Sequence, residues 1–279
     1  MSWANASVSL VAYSLVMMYD TLLNRSAWRV NELFLLSLIS FTLLGLFIGS
    51  FLNVCIDRLP QGLSIISPPS HCSVCNNKLA AMDLIPVFSY LWLRGRCRYC
   101  RVLLPIRLPI VEGVTGFLFV FLYWKFGLGL ELAISLVYTC LAVIIFIVDL
   151  ENQLVLDKVV YPGMVIALAF SFFSDLRVVI ALVGGVIGLA AMGLPYIIYR
   201  RGMGLGDVKL GALVGLMTGY PLVVVAWLLA VISGGLVAGI LLAFRIKKRR
   251  EPIPFAPFLA TSAIVTLLWG QAIYKWYLG

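Results

Sequence analysis

Two aspartates stand where the surrounding sequence argues against charge. Asp149 ends the apolar run Ser135 to Val148, and Asp207 closes Gly202-Met203-Gly204-Leu205-Gly206 just before another apolar run. An ionisable group at membrane depth costs at least about 2.5 kcal/mol on insertion scales, so each is a functional candidate by default. Two carboxylates sharing one proton can activate water and protonate a leaving amine, because proximity splits their titrations. The chain has a single His and no Ser-centred nucleophile motif, which makes an aspartyl hydrolase the simplest chemistry its residues support. Taken alone, Asp149 reads equally well as a helix-end residue reaching toward water. Asp207 shifts that balance. The glycines before it, Gly204 and Gly206 included, let the chain bend beside a helix and remove bulk where an extended peptide could approach. A plain flexible turn would leave unexplained why an Asp, rather than Ser or Asn, opens the next helix. A phosphate cradle is a weak reading, since no strand precedes the glycines and the G-x-G-x-x-G pattern is not met. Glu151 and Asp157 lie farther into the loop after Asp149 and read as solvated carboxylates.

A second group of residues has metal chemistry. Cys72 and Cys75 form one C-x-x-C pair and Cys97 and Cys100 another, twenty-one residues apart, the spacing of a four-thiolate zinc site. Disulfides fit poorly with a loop placed in the cytoplasm. A redox C-x-x-C motif would call for a βαβ pattern that the chain lacks. A segment of about fifty residues with little apolar sequence needs such a staple. Four thiolates complete the shell, so His71 reads as a loop residue, and Cys55 and Cys140 read as small core residues within apolar runs.

The elements that must position these groups are membrane helices. With 62% hydrophobic and 12% charged residues the chain lies far from soluble composition, where about a quarter of residues are charged. Apolar runs cover Glu32 to Asn53, Pro109 to Lys125, Leu130 to Val148, Val159 to Phe173, Val178 to Tyr199, Val208 to Tyr220, Pro221 to Phe244 and Phe255 to Trp276. They lack the alternation of barrel strands, so the expected fold is an all-α polytopic membrane protein with about eight transmembrane helices. A small four-cysteine domain falls between the first two spans. The expected organisation is an interfacial segment over 1–31, a first transmembrane helix over 32–56, the metal domain over 57–108 and a membrane peptidase core over 109–279. Val8 to Tyr19 is too short to span and suits the interface. Nothing basic precedes that run and no clean small-residue cleavage site follows it, against a cleaved signal peptide.

A net charge of +9 is explained by the Lys and Arg of cytoplasmic loops before any nucleic acid is invoked. Arg58 to Arg107, Arg200 to Lys209 and Arg245 to Arg250 fall on one face when eight spans alternate. The other face carries little beyond Lys125, Glu131, Asp175 and Arg177. The basic face is read as cytoplasmic. It holds Asp149 and Asp207 at the ends of two helices that this reading takes to run inward together, where the carboxylates can meet at one depth.

Over residues 49–259 the chain resembles the type IV prepilin peptidases, membrane aspartyl proteases of the GxGD class. The strings that carry the resemblance are Gly49-Ser50-Phe51-Leu52-Asn53-Val54-Cys55-Ile56-Asp57-Arg58-Leu59-Pro60, both C-x-x-C pairs, Leu93-Arg94-Gly95-Arg96-Cys97 and Pro109-Ile110-Val111-Glu112. The Asp149 segment, Gly204-Leu205-Gly206-Asp207-Val208-Lys209 and Pro254-Phe255-Ala256-Pro257-Phe258-Leu259 complete them. The resemblance implies that Asp149 and Asp207 are the catalytic dyad. It also implies a multi-pass protein of the bacterial inner membrane that cuts the basic leader from type IV prepilins or the pseudopilins of type II secretion, at the cytoplasmic face. Many members then N-methylate the new terminus with S-adenosylmethionine. Where the family often has a second Asp and a Pro after the first catalytic Asp, this chain has Glu151 and Leu156, a departure that bears on substrate detail.

Such a substrate matches the charge pattern. A basic leader would stay on the cytoplasmic face while its apolar helix lies in membrane lipid, bringing the scissile bond to the depth of the aspartates. From its place in the family string, Glu112 is a candidate to meet the new N-terminus or orient the methyl donor; an acidic residue in a first helical turn is the alternative. Asn53 and Arg58 read either as family residues or as a buried amide and an interfacial anchor. Two rival functions remain, a peptidase without methyltransferase activity and a transporter whose aspartates carry protons or ions. The transporter fits less well, since no inverted repeat is visible and a metal-bound loop is not expected of one.

Overall fold

A computed structural model of the chain describes residues 32–174, 177–198, 204–245 and 253–278. The segment 1–31, expected at the interface, lies outside the described residues, as do Arg200 to Met203 and most of the basic cluster after Arg245. Among the described residues the apolar runs fold as eight long helices. These are α1 (Glu32–Arg58), α3 (Arg107–Phe126), α4 (Leu130–Asn152), α5 (Asp157–Phe173), α6 (Val178–Ile198), α7 (Leu205–Thr218), α8 (Leu222–Ala243) and α9 (Ala256–Leu278). Between α1 and α3 lie a 3-10 turn at Ala81–Leu84 and the short helix α2 (Phe88–Trp92).

Six of the eight, α1, α3, α4, α6, α8 and α9, are long and apolar enough to cross a bilayer. The other two are shorter. At 1.5 Å per residue α7 is only about 21 Å long, against a hydrocarbon core of roughly 30 Å. It persists because protein, not lipid, surrounds it: every residue from Leu210 to Thr218 is buried. Val148, Val160, Leu213 and Leu259, drawn from α4, α5, α7 and α9, share the main core.

Helices in lipid gain little from the hydrophobic effect and associate by close packing over small residues. The α6–α7 contact is the tightest case. Gly184 and Gly188 on α6 face Gly215 and Gly211 on α7, each pair four residues apart. A Cβ at Gly184 would lie 2.4 Å from the Gly215 carbonyl oxygen, and one at Gly211 would lie 2.6 Å from that of Gly188. The α1–α3 seam is built the same way, for a Cβ at Gly45 would stand 2.7 Å from the Gly116 Cα and one at Gly49 2.8 Å from the Glu112 Cα.

Two expectations change at the helix ends. α7 begins at Leu205 rather than Val208, so Asp207 belongs to its first turn. Asp149 lies in the last turn of α4. The helix ends that converge are therefore the C-terminal end of α4 and the N-terminal end of α7, so the two helices run in opposite directions, not inward together.

Candidate active site

α4 stops just beyond Asp149. Gln153 takes the left-handed conformation (φ 51°) and its N–H returns to the Asp149 carbonyl at 2.9 Å, a helix-ending turn. The chain then crosses Leu154–Leu156 and re-enters a helix at Asp157. The Asp149 side chain is only 5% exposed, and its Oδ2 accepts a 3.1 Å hydrogen bond from the N–H of Ala256, the first residue of α9. That N–H has no acceptor within its own helix, and the positive end of a helix favours a nearby carboxylate. Asp149 is thus held at one oxygen by the Pro254-Phe255-Ala256 entry to α9.

Asp207 is half-buried and turns into the same space. Asp149, Gln153, Val155, Gly204, Gly206, Asp207 and Phe255 are among the residues lining a cavity of about 370 Å³, in which the charge of Asp149 bears on Asp207. The structure thus brings together the two aspartates and both sequence-singled glycines. The glycines differ in what they do. A Cβ at Gly206 would strike the Val155 Cβ at 2.7 Å, so its small size lets the α4–α5 loop lie against α7. A Cβ at Gly204 would meet nothing closer than 3.8 Å and would stand 3.9 Å from Asp207 Oδ2. Of the two, only Gly204 would take a Cβ without a clash, in ordinary contact with a carboxylate.

The loop carboxylates read as solvated are ion-paired as well as exposed. Lys209, one turn or less after Asp207, binds Asp157 at 2.8 and 2.9 Å and lies 5.2 Å from the Tyr161 ring centroid. This pair clamps the first turn of α7 to the first turn of α5. Arg107 at the start of α3 reaches Asp57 of α1 at 2.5 Å and Glu151 of α4 at 3.3 Å, joining three helix ends beside the site. Neither partnership is legible in the sequence, although Lys209 lies in the Gly204–Lys209 string. A lysine two residues from a candidate catalytic carboxylate was the available signal.

The four cysteines converge. Their sulfurs all lie within 4.8 Å of one another, with Cys72 and Cys100 3.8 Å apart, and all four are free thiols. A tetrahedral zinc with Zn–S bonds near 2.3 Å requires sulfurs about 3.8 Å apart, so the donor set fits a thiophilic divalent metal. Each pair sits in a matching hairpin. The Cys72 N–H donates to Asn77 O and the Cys97 N–H to Val102 O, flanked by the bridges His71–Lys78 and Arg96–Leu103. Asn76 and Arg101, the residues after each second cysteine, both take positive φ. Backbone hydrogen bonds from Cys75 and Val74 hold the Cys72 thiol down at about 6, favouring the thiolate that binds metal.

Glu112 stands apart from the aspartate cavity. It is 8% exposed in α3, and its Oε2 accepts a 2.7 Å bond from the Val87 N–H just before α2. Val87 has φ 60°, a costly conformation for a β-branched residue, and the carboxylate holds it there. Asn53 donates from Nδ2 to the Leu108 carbonyl while its buried Oδ1 finds no partner, and Arg58 donates to the Ser64 carbonyl.

Comparison with known proteins agrees with this layout. The bacterial peptidase A24 N-terminal domain matches residues 43–126, and the type IV leader peptidase family matches residues 136–239. Relatives named prepilin leader peptidase/N-methyltransferase include one from Pseudomonas putida, 31% identical over 261 residues, covering 84% of this chain and 91% of the relative. One from Bacillus subtilis is 33% identical over 236 residues, covering 84% and 95%. One from Aeromonas hydrophila is 32% identical over 266 residues, covering 85% and 92%. No solved structure matches the chain. With the ends of α4 and α7 carrying two carboxylates into one cavity, and with relatives matching over most of their length, this chain belongs to the type IV leader peptidase family.

Proposed function

We propose that the protein is a membrane aspartyl endopeptidase that removes the basic leader from prepilins or pseudopilins and then N-methylates the new terminus. The observation that carries this reading is the single cavity shared by Asp149 and Asp207 at the converging ends of α4 and α7. In the reaction, one carboxylate takes a proton from water as its oxygen attacks the scissile carbonyl carbon. The other, protonated, gives its proton to the carbonyl oxygen. Collapse of the tetrahedral species breaks the C–N bond, the leaving nitrogen receives a proton, and the pair returns to its starting state. Gly204 gives the peptide room beside Asp207, and Ala256 N–H fixes Asp149.

The cavity faces the cytoplasm of the bacterial inner membrane in this reading. Support comes from Arg94, Arg96, Arg98, Arg101 and Arg107, which lie in or beside the segment joining α1 to α3, at the end of the bundle where Arg107 meets Glu151. Residues 57–108 form the metal domain, with zinc on Cys72, Cys75, Cys97 and Cys100, and residues 109–279 the peptidase core. S-adenosylmethionine, when bound, supplies an electrophilic methyl group. Glu112 orients that donor or the new amine while its Oε2 holds the Val87 N–H.

The test uses the detergent-solubilised full chain and a prepilin-like peptide. Mass spectrometry should find the leader released by the parent protein, and a product about 14 mass units heavier when S-adenosylmethionine is added. Asp149→Asn and Asp207→Asn should each lower cleavage by at least about 10²-fold. Undiminished cleavage by either would sink the dyad.

A further inference from the structure

α2 turns the wrong face outward for a domain surrounded by water. Tyr90 points inward, its hydroxyl donating to the Leu104 carbonyl and its ring filling the space above Gly95. Phe88 and Trp92, one turn apart, stack with ring centroids 6.0 Å from each other on the opposite side. They are 58% and 73% exposed, and Leu91 and Ile85 extend the same uncovered apolar surface.

The height of this surface is fixed by the bond from the Val87 N–H to Glu112. Glu112 belongs to a helix that crosses the membrane, and its carboxylate holds the N–H of Val87, the residue immediately before α2. Glu112 lies five residues past Arg107, where α3 begins, hence about 7 Å along the helix at 1.5 Å per residue. Interfacial helices bury their apolar face roughly 5–10 Å into the boundary between headgroups and acyl chains. With the ion-paired Arg107 taken as the boundary of the bilayer, the bond sets α2 at the depth where such helices lie. Charge complements the placement: Arg94 and Arg96 follow α2 directly and are exposed, positioned for anionic headgroups.

We propose that the Ile85–Trp92 segment is a monotopic anchor whose Ile85, Phe88, Leu91 and Trp92 side chains insert into the adjacent leaflet, with lipid as the occupant of the uncovered face. The metal-binding hairpins are then not tethered only by their two connections to α1 and α3. They are held against the bilayer at a third point, at a fixed height relative to the aspartate cavity. The positive φ of Val87 makes the turn into α2, and Glu112 locks it.

Photo-crosslinking of the full chain in nanodiscs of phosphatidylethanolamine and phosphatidylglycerol tests this. Leu91→p-benzoylphenylalanine and Trp92→p-benzoylphenylalanine variants are irradiated and analysed by mass spectrometry, after checking that each retains bound metal. Both should yield adducts on lipid acyl carbons. An independent measurement needs no bulky label: Trp92→Phe should lower the fluorescence quenched by lipids brominated high on the acyl chain more than that quenched by lipids brominated near its end. Absence of lipid adducts at both positions, or transfer of the crosslink to an added prepilin-like peptide or to a second copy of the chain, would overturn the proposal. Equal quenching of parent and Trp92→Phe by both lipids would do the same.

Discussion

The segment joining α1 to α3 and the α6–α7 seam solve the same problem, holding chain against chain, by opposite means. In the first, two hairpins twenty-five residues apart in sequence repeat one another bond for bond and bring four polarisable sulfurs together. Few large side chains are buried there, and the cysteines take the place of a core. In the second, no polar group is spent at all; four glycines let two helices meet backbone to backbone. The difference teaches where each can fail. A thiol cluster is local and can be lost without moving its neighbours, whereas a glycine seam transmits any added atom along two rigid helices, one of which carries Asp207.

The largest effect should therefore come from a small change outside the cavity, in the seam behind Asp207. Gly188→Val places bulk where a Cβ would already lie 2.1 Å from the Gly211 carbonyl oxygen, one turn beyond Asp207. Overpacking of this kind costs about 1–3 kcal/mol or more. Leader cleavage should fall to background while the metal content of the purified protein is unchanged. Cleavage at the parent rate would mean that the seam does not position the dyad. Cys97→Ser is the counterpart. It should abolish stoichiometric metal binding, measured by elemental analysis, and expose residues 66–104 to limited proteolysis, with cleavage reduced less than by Gly188→Val. Unfolding of the whole bundle in Cys97→Ser would erase the contrast between the two regions.

The same contrast explains what could be read from sequence. Both cysteine pairs were legible because metal geometry demands a short, fixed spacing, and the helices because lipid demands uninterrupted apolar runs. Asp149 and Asp207 stood out because charge at an apolar run's end is costly. Backbone and cross-chain partners were hidden. Nothing in Ala256 marks its N–H as the donor to Asp149, since that role depends on where α9 starts in space. Gly206 looked like room for a substrate, yet its space is taken by Val155, a residue fifty-one positions earlier. The enclosure of α7 was similarly opaque: the run Val208 to Tyr220 shows a short helix but not the neighbours that bury every residue from Leu210 to Thr218.

A smaller effect belongs to the clamp between α5 and α7. Asp157 is exposed and Lys209 half-buried, and ion pairs this open to water contribute little on their own. What Asp157→Asn loosens is the first turn of α7, so kcat for leader release should fall roughly two- to fivefold, with thermal stability nearly unaltered. The exchanged pair Asp157→Lys with Lys209→Asp should recover part of the loss. A change confined to KM, with no recovery in the exchanged pair, would assign the lysine to the substrate instead of the fold.

The smallest effect on cleavage should come from Glu112→Gln, which lies outside the aspartate cavity and separates two roles of one side chain. Glutamine keeps an oxygen acceptor for the Val87 N–H, so α2 and the metal hairpins should stay in place and metal content should not change. It removes the negative charge that a cationic methyl donor or a new amine would meet. If that charge matters, the 14-unit mass increase disappears while leader release continues at its parent rate. If Glu112 serves only as the joint between α3 and Val87, both products persist in Glu112→Gln and both fail in Glu112→Ala, which strips the acceptor and leaves a buried N–H unpaired at a cost of about 1–3 kcal/mol.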